Sequence, residues 1–178
     1  MQTIINPLLL LAALSMMAIP TISTAQTASD DSKGSRLYTR ADQALARQLI
    51  HEFGATVVES TATDDSFQMR ANDSEGFIFE VIGKICSEGE CLGLVFSVTY
   101  EMDGMVDYGR LNTTNLRWAA AKIVIDEDDF IVTRYEIMDY GQTYDNLVAS
   151  LDNTLAIAKA SAEYYFSAWD DDDAYDWW

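Results

Sequence analysis

The sequence predicts an α+β domain: an antiparallel sheet of about five strands with three helices, in the order α-β-β-β-α-β-β-α. Three observations predict it. "GFIFEVIGKI" and "LGLVFSVTYEM" show strand-like alternation, and only a short turn separates them, so they form an antiparallel hairpin. A second hairpin is written around "DEDD", between "AAKIVI" and "FIVTRYEIM". Helical patterns precede, separate and follow these pairs.

The first helix starts after Asp42, a capping residue, and Leu45, Leu49 and Phe53 recur every four residues along it. Arg47, Gln48 and Glu52 face away, and Gly54 ends it. "ATVVES" and "SFQMRAN" are two short strands or one broken strand, divided by the turn-rich "TATDDS". In the first hairpin Phe77, Phe79 and Val81 alternate with Ile78 and Glu80. Leu92, Leu94, Phe96, Val98 and Tyr100 then point one way, and Gly93, Ser97, Thr99 and Glu101 the other. The intervening "SEGE" supplies the glycine a tight turn needs.

"YGRLNTTNLRWA" reads as a short middle helix of modest propensity, because Asn and Thr are poor helix formers. In the second hairpin Ala121, Ile123 and Ile125 alternate outward, and Ile131, Thr133, Tyr135 and Ile137 alternate back. A long helix from about Thr143 to Ala168 closes the domain, with an apolar stripe of Leu147, Leu151, Leu155, Ala158, Ala162 and Tyr165. The stripe packs on the sheet or, alternatively, serves dimerisation.

A length of 178 residues suits one domain, and 49% hydrophobic residues are enough for a core. The formal charge is −18, from 29 acids against 11 bases. Such a surface repels phosphate backbones and anionic lipid head groups, so nucleic acid and membrane surfaces are poor partners. It suits cations or basic protein surfaces.

The first 25 residues read as an export signal. "PLLLLAALSMMAIP" is an apolar core too short for an ordinary membrane span, and Ser23 and Ala25 are small residues before a cleavage point. "MQTIIN" lacks Lys and Arg, which departs from the usual signal and keeps an uncleaved anchor as the alternative. Residues 26–36 are a flexible leader, 37–168 the folded domain and 169–178 an acidic aromatic tail. The mature chain is therefore expected in the periplasm or secreted.

Cys86 and Cys91 lie in the exported part, at the neck of the first hairpin. Their spacing is not C-x-x-C, and a zinc site would need about four ligands, whereas the chain has two thiols and a single histidine, His51. A structural disulfide is favoured over free or switchable thiols and over metal. No cofactor is implied. His51 sits on a helix with no triad around it in sequence, and no nucleophile-elbow, P-loop or zincin motif is present. The acid pairs Glu88/Glu90 and Asp64/Asp65 read as solvated turns, and neither "DDDD" nor "IDEDDF" has the register of a calcium loop. Asn72 and Asn112 match the glycosylation sequon. In the tail, Trp169, Tyr175, Trp177 and Trp178 stand among aspartates; it is a solvated acidic end or a segment that docks into a basic, apolar-floored groove.

"CSEGECLGLVFSVTY", followed by a helix with "RLNTTNLRWAAAKIVIDEDDFIVTRYEIM" and a long closing helix, resembles the YbjN-like family, whose members are often described as bacterial sensory transduction regulators. The matching positions are Cys86, Cys91, Phe96, Leu111, Asn112, Asn115, Lys122 and the turn Asp126 to Asp129, over about residues 40 to 167. Family members often carry Trp just before the second Asn; Thr114 stands there, and Trp118 is the candidate to fill the space. The resemblance implies a curved antiparallel sheet with three helices, similar to type III secretion chaperones and frequently dimeric. It implies no enzymatic activity and no catalytic residues. The expected function is an exported, non-enzymatic protein-binding module with an unknown protein partner and scope for a homodimer. The alternatives are an envelope hydrolase using carboxylates or a weak cation-binding stress protein.

Overall fold

The computed structural model describes residues 35–167. The chain runs β1 (Leu37–Tyr38), α1 (Gln43–Glu52), β2 (Thr56–Ala62), β3 (Ser66–Asn72), β4 (Ile78–Ser87), β5 (Glu90–Glu101), α2 (Tyr108–Arg117), β6 (Lys122–Asp126), β7 (Asp129–Ile137), β8 (Gln142–Thr143) and α3 (Tyr144–Phe166). Six strands form one antiparallel sheet in the order β2-β3-β4-β5-β7-β6, and β1 pairs with β8 in a separate two-stranded piece. The α+β class, three helices and antiparallel pairing match the expectation. The strand count does not: "ATVVES" and "SFQMRAN" are two full strands, β2 and β3, turning at Asp64 and Asp65. The β1–β8 pair, two residues on each side, is too short to leave a periodic signal.

Each helix starts where a short polar side chain can take an orphan amide. Asp42 accepts from Leu45 N at 2.7 Å, Asp107 from Arg110 N at 2.9 Å and Thr143 from Asn146 N at 3.2 Å. α3 ends at Phe166, with Ser167 as its cap, so the expected end at Ala168 lies just outside the described residues. The first hairpin turns through Glu88 and Gly89, both left-handed at φ 55° and 84°, as a two-residue type I′ turn requires.

One face of the sheet carries Phe67 and Met69, Phe79 and Val81, Leu94, Phe96 and Val98, and Phe130 and Val132, all buried. They meet Leu45, Leu49 and Ile50 of α1 and Leu147, Leu151 and Ala158 of α3. Each large side chain removed from water here stabilises the fold by roughly 1.5–3 kcal/mol. The α3 stripe is therefore in the core, with only Leu155 half-buried, and it is not left over as a free helix face. α2 sits to one side, against α3 and β6.

β7 shows where strand periodicity misleads. Its evident apolar series, Ile131, Tyr135 and Ile137, faces away from the helices. The inward series is Phe130, Val132, Arg134 and Glu136. The last two are tolerated because Arg134 Nε donates to Glu136 Oε1 at 2.5 Å and Arg134 Nη1 reaches Asn153 Oδ1 of α3 at 3.4 Å.

Candidate interaction surface on the open side of the sheet

Side chains alternate across a sheet, so the helices cover only one of its faces. The register arranges the other face in rows that cross the strands. The central row is polar: Glu59, Arg70, Glu80, Ser97, Thr133 and Lys122 lie side by side from β2 to β6. Within it, Arg70 Nε lies 3.7 Å from Glu80 Oε1. On one side of this belt Gln68, Ile82, Val95 and Tyr135 form a row, followed by Lys84, Gly93 and Ile137. On the other side come Thr99, Ile131 and Val124, with Ile78 at their flank, followed by the acids Glu101, Asp129 and Asp126.

Between the polar belt and the charged ends this face carries apolar side chains, and among the described residues the helices pack their buried side chains on the opposite face. Ile78, Tyr135 and Ile137 are 45%, 47% and 59% exposed. Ile82, Val95, Val124 and Ile131 are half-buried by their own neighbours. Gly93 keeps the surface flat: a Cβ there would overlap the Tyr135 ring, which lies across the glycine backbone. An adjacent aromatic thus shields a strand glycine that has no side chain of its own to pack. Apolar side chains that leave a sheet uncovered in this way mark an interaction surface more often than an ordinary solvent face.

Beside Ile78 the sheet opens into a cleft of about 800 Å³, lined by Arg70, Ile78, Thr99, Tyr100, Glu101, Asp103, Asp129 and Phe166. It lies where the β4–β5 pairing stops at Glu80 and Ser97. Burial pushes the Tyr100 phenol up to about 12. Its hydroxyl oxygen is buried without a hydrogen-bond partner, and its ring lies beside those of Phe77 and Phe130. Glu101 and Asp103 are exposed, which gives no enclosed carboxylate pair.

The sequence-predicted residues fall in different places. Cys86 and Cys91 stand opposite each other with sulfurs at bonding distance and Cα atoms 3.9 Å apart. They form a junction: Cys91 exchanges both backbone hydrogen bonds with Ala41, and Cys86 N donates to Asp65 O at 3.0 Å. His51 is exposed on α1, and Asn112 is exposed on α2. The signal segment and the tail residues Trp169, Tyr175, Trp177 and Trp178 lie outside the described residues. Among the described residues, no group of three or more His, Cys, Asp or Glu is placed to hold a metal.

Two motif residues acquire roles that spacing alone did not reveal. Asn115 Nδ2 donates to Ile123 O at 2.8 Å and Asn115 Oδ1 accepts from Ile123 N at 2.9 Å. This pair of bonds satisfies Ile123 on the outer edge of β6 in the way a residue of a further strand would. Trp118 packs edge-on against Tyr164 of α3, 5.5 Å between centroids, and Arg117 lies over both rings. Trp118 therefore anchors α2 to α3.

No family model matches the sequence, and no curated protein matches it. Similar solved structures include the following two. An uncharacterized protein from Methanothermobacter thermautotrophicus aligns with a TM-score of 0.52 at 13% identity, over 69% of this chain and 95% of that one. YbjN, a proposed transcription regulator from E. coli, aligns with a TM-score of 0.49 at 15% identity, over 72% of this chain and 96% of that one. Both are likenesses of fold, and neither assigns a role to any residue.

Proposed function

We propose that this chain is an exported, non-enzymatic protein-binding module, chaperone-like or an adaptor, that takes its partner on the open side of the sheet. One observation carries the reading: a six-stranded sheet presents Ile78, Ile82, Val95, Ile131, Tyr135 and Ile137 on a face that no described element covers. Export is supported by the signal-like first 25 residues and by a cysteine pair at bonding distance, which suits an oxidising compartment. No helix among the described residues is long and apolar enough to cross a membrane.

The test is site-specific photocrosslinking in cells that express the full-length sequence. A benzophenone amino acid at Ile137, on the open face, is compared with one at Leu116, which is 75% exposed on α2. The reading expects a discrete crosslinked product from position 137 and none from 116. Equal products from both, or none from either, would remove it.

A further inference from the structure

We infer that the cleft beside Ile78 receives a basic side chain of the protein partner, a lysine or arginine whose apolar stem lies on the cleft floor and whose charge meets its acidic rim. The inference rests on the reading above and names the chemistry by which that face recognises its partner. The cleft is continuous with the open face, because Ile78, Thr99 and Asp129 belong both to its lining and to the rows of the sheet. Its volume of about 800 Å³ holds a long side chain together with the backbone that carries it.

The lining has two parts of different chemistry. The floor is apolar, made by Ile78, the Tyr100 ring and Phe166, and Ile78 and Phe166 are 45% and 47% exposed. Glu101, Asp103 and Asp129 supply carboxylates. Glu101 stands directly opposite Asp129, and Asp129 directly opposite Asp126. Like charges in direct register across strands repel, so this row carries a standing cost that a cation relieves. Among the described residues no base is paired with any of these acids. Arg70 is the single base of the lining, and its charge is answered inside the chain by Glu80, 3.7 Å away. The cleft therefore favours a cation and opposes an anion. A bare metal ion would leave the apolar floor uncovered, whereas a lysine or arginine lays its stem on such a floor and keeps its head with the carboxylates. The tail of this chain is the wrong occupant. Asp170 to Asp173 follow Phe166 closely in sequence and carry the same sign as the rim.

The experiment has two arms. In the first, n-hexylammonium, which reproduces a lysine side chain, is titrated into protein purified from cells expressing the full-length sequence. Methyl NMR follows Ile78 in the cleft and Ile137 at the other end of the face. The Ile78 methyl shifts and the Ile137 methyl does not, while 1-hexanol, hexanoate and ammonium chloride leave both in place. Glu101→Gln combined with Asp129→Asn weakens the titration about 2- to 30-fold, as expected for two exposed ion pairs. The double variant removes two like charges in register, so it folds at least as well as the parent. In the second arm Glu101→Lys with Asp129→Lys is placed beside the photocrosslinker at position 137. The crosslinked product falls about 10-fold or more, since like charge now faces the partner's cation. An Ile78 shift with hexanol or hexanoate as large as that with hexylammonium overturns the inference, as does an equal shift with ammonium alone or no shift at all. A selective shift with an unchanged crosslink assigns the cleft to a free amine and overturns the partner's side chain. No product from the parent removes the binding reading and the inference with it. A lost selective shift with the product intact removes the inference alone.

Discussion

Tyr100 and Asn115 show two opposite outcomes for a polar atom placed at the margin of a core. The Tyr100 hydroxyl is buried without a partner and contributes only the cost of its desolvation. Tyr100→Phe is therefore expected to leave stability unchanged or to raise it by about 1 kcal/mol in urea unfolding. A loss of that size would mean the hydroxyl has a partner. The phenol pushed up to about 12 also fixes a pH window. The fold favours its neutral form, so its contribution is complete below the ordinary value of 10.0 and is lost as pH rises through about 12. The fall in stability over that window is smaller in the Phe variant. Asn115, in contrast, satisfies both backbone groups of Ile123. Asn115→Leu removes two bonds at an edge and should cost about 2 kcal/mol. Hydrogen exchange at the Ile123 amide should speed up with it, and an unchanged rate would show that water replaces the side chain at no cost. Neither role was legible in the sequence. Asn115 could be picked out by resemblance, but its partner is eight residues away around a turn, where no spacing rule applies.

The hairpin of β4 and β5 is the element in which sequence and structure agree most closely. Its alternation, glycine turn and cysteine neck are local features, and local features survive folding. The junction with Ala41 and Asp65 is not local and was missed. The cysteine link closes a small loop and should stabilise by about 2 kcal/mol on the chain-entropy model. Reduction, or Ala at both positions, should lower the melting temperature and leave the fold intact; an equal melting temperature with and without reductant contradicts this. Just before the neck, Ile85 adopts φ 57° while 64% exposed. A β-branched residue pays about 1–2 kcal/mol in this left-handed region. Ile85→Asn should raise stability by about 1 kcal/mol in chemical denaturation, and a decrease would show that the isoleucine side chain is held by contacts. Among the helices, α1 and α3 were readable from periodic apolar residues. α2 buries only Thr114 fully, so its position depends on Asn115, Trp118 and Arg110, the last donating to Tyr164 O near the end of α3.

Among the described residues the sheet has one face covered by helices. The sequence made its class and order readable, because hairpins and amphipathic helices each announce themselves. It did not reveal which side of β7 faces in. Ile131, Tyr135 and Ile137 look like core residues by period, yet the inward side is completed by a paired Arg134 and Glu136. That reversal places the candidate surface, since the side chains that suggested a core are the ones left outside it. The acidic composition averages over a face on which Arg70, Lys84 and Lys122 stand among the acids.

The most direct measurement is methyl NMR with a soluble paramagnetic probe, followed over a dilution series. The methyls of Ile78, Val124, Ile131 and Ile137 should relax strongly in dilute protein, where the face is bare. Those of Ile50 and Ile157, inside the core, should stay protected throughout. Open-face methyls that are protected even at the lowest concentration would contradict the account that this side of the sheet is left free for a partner.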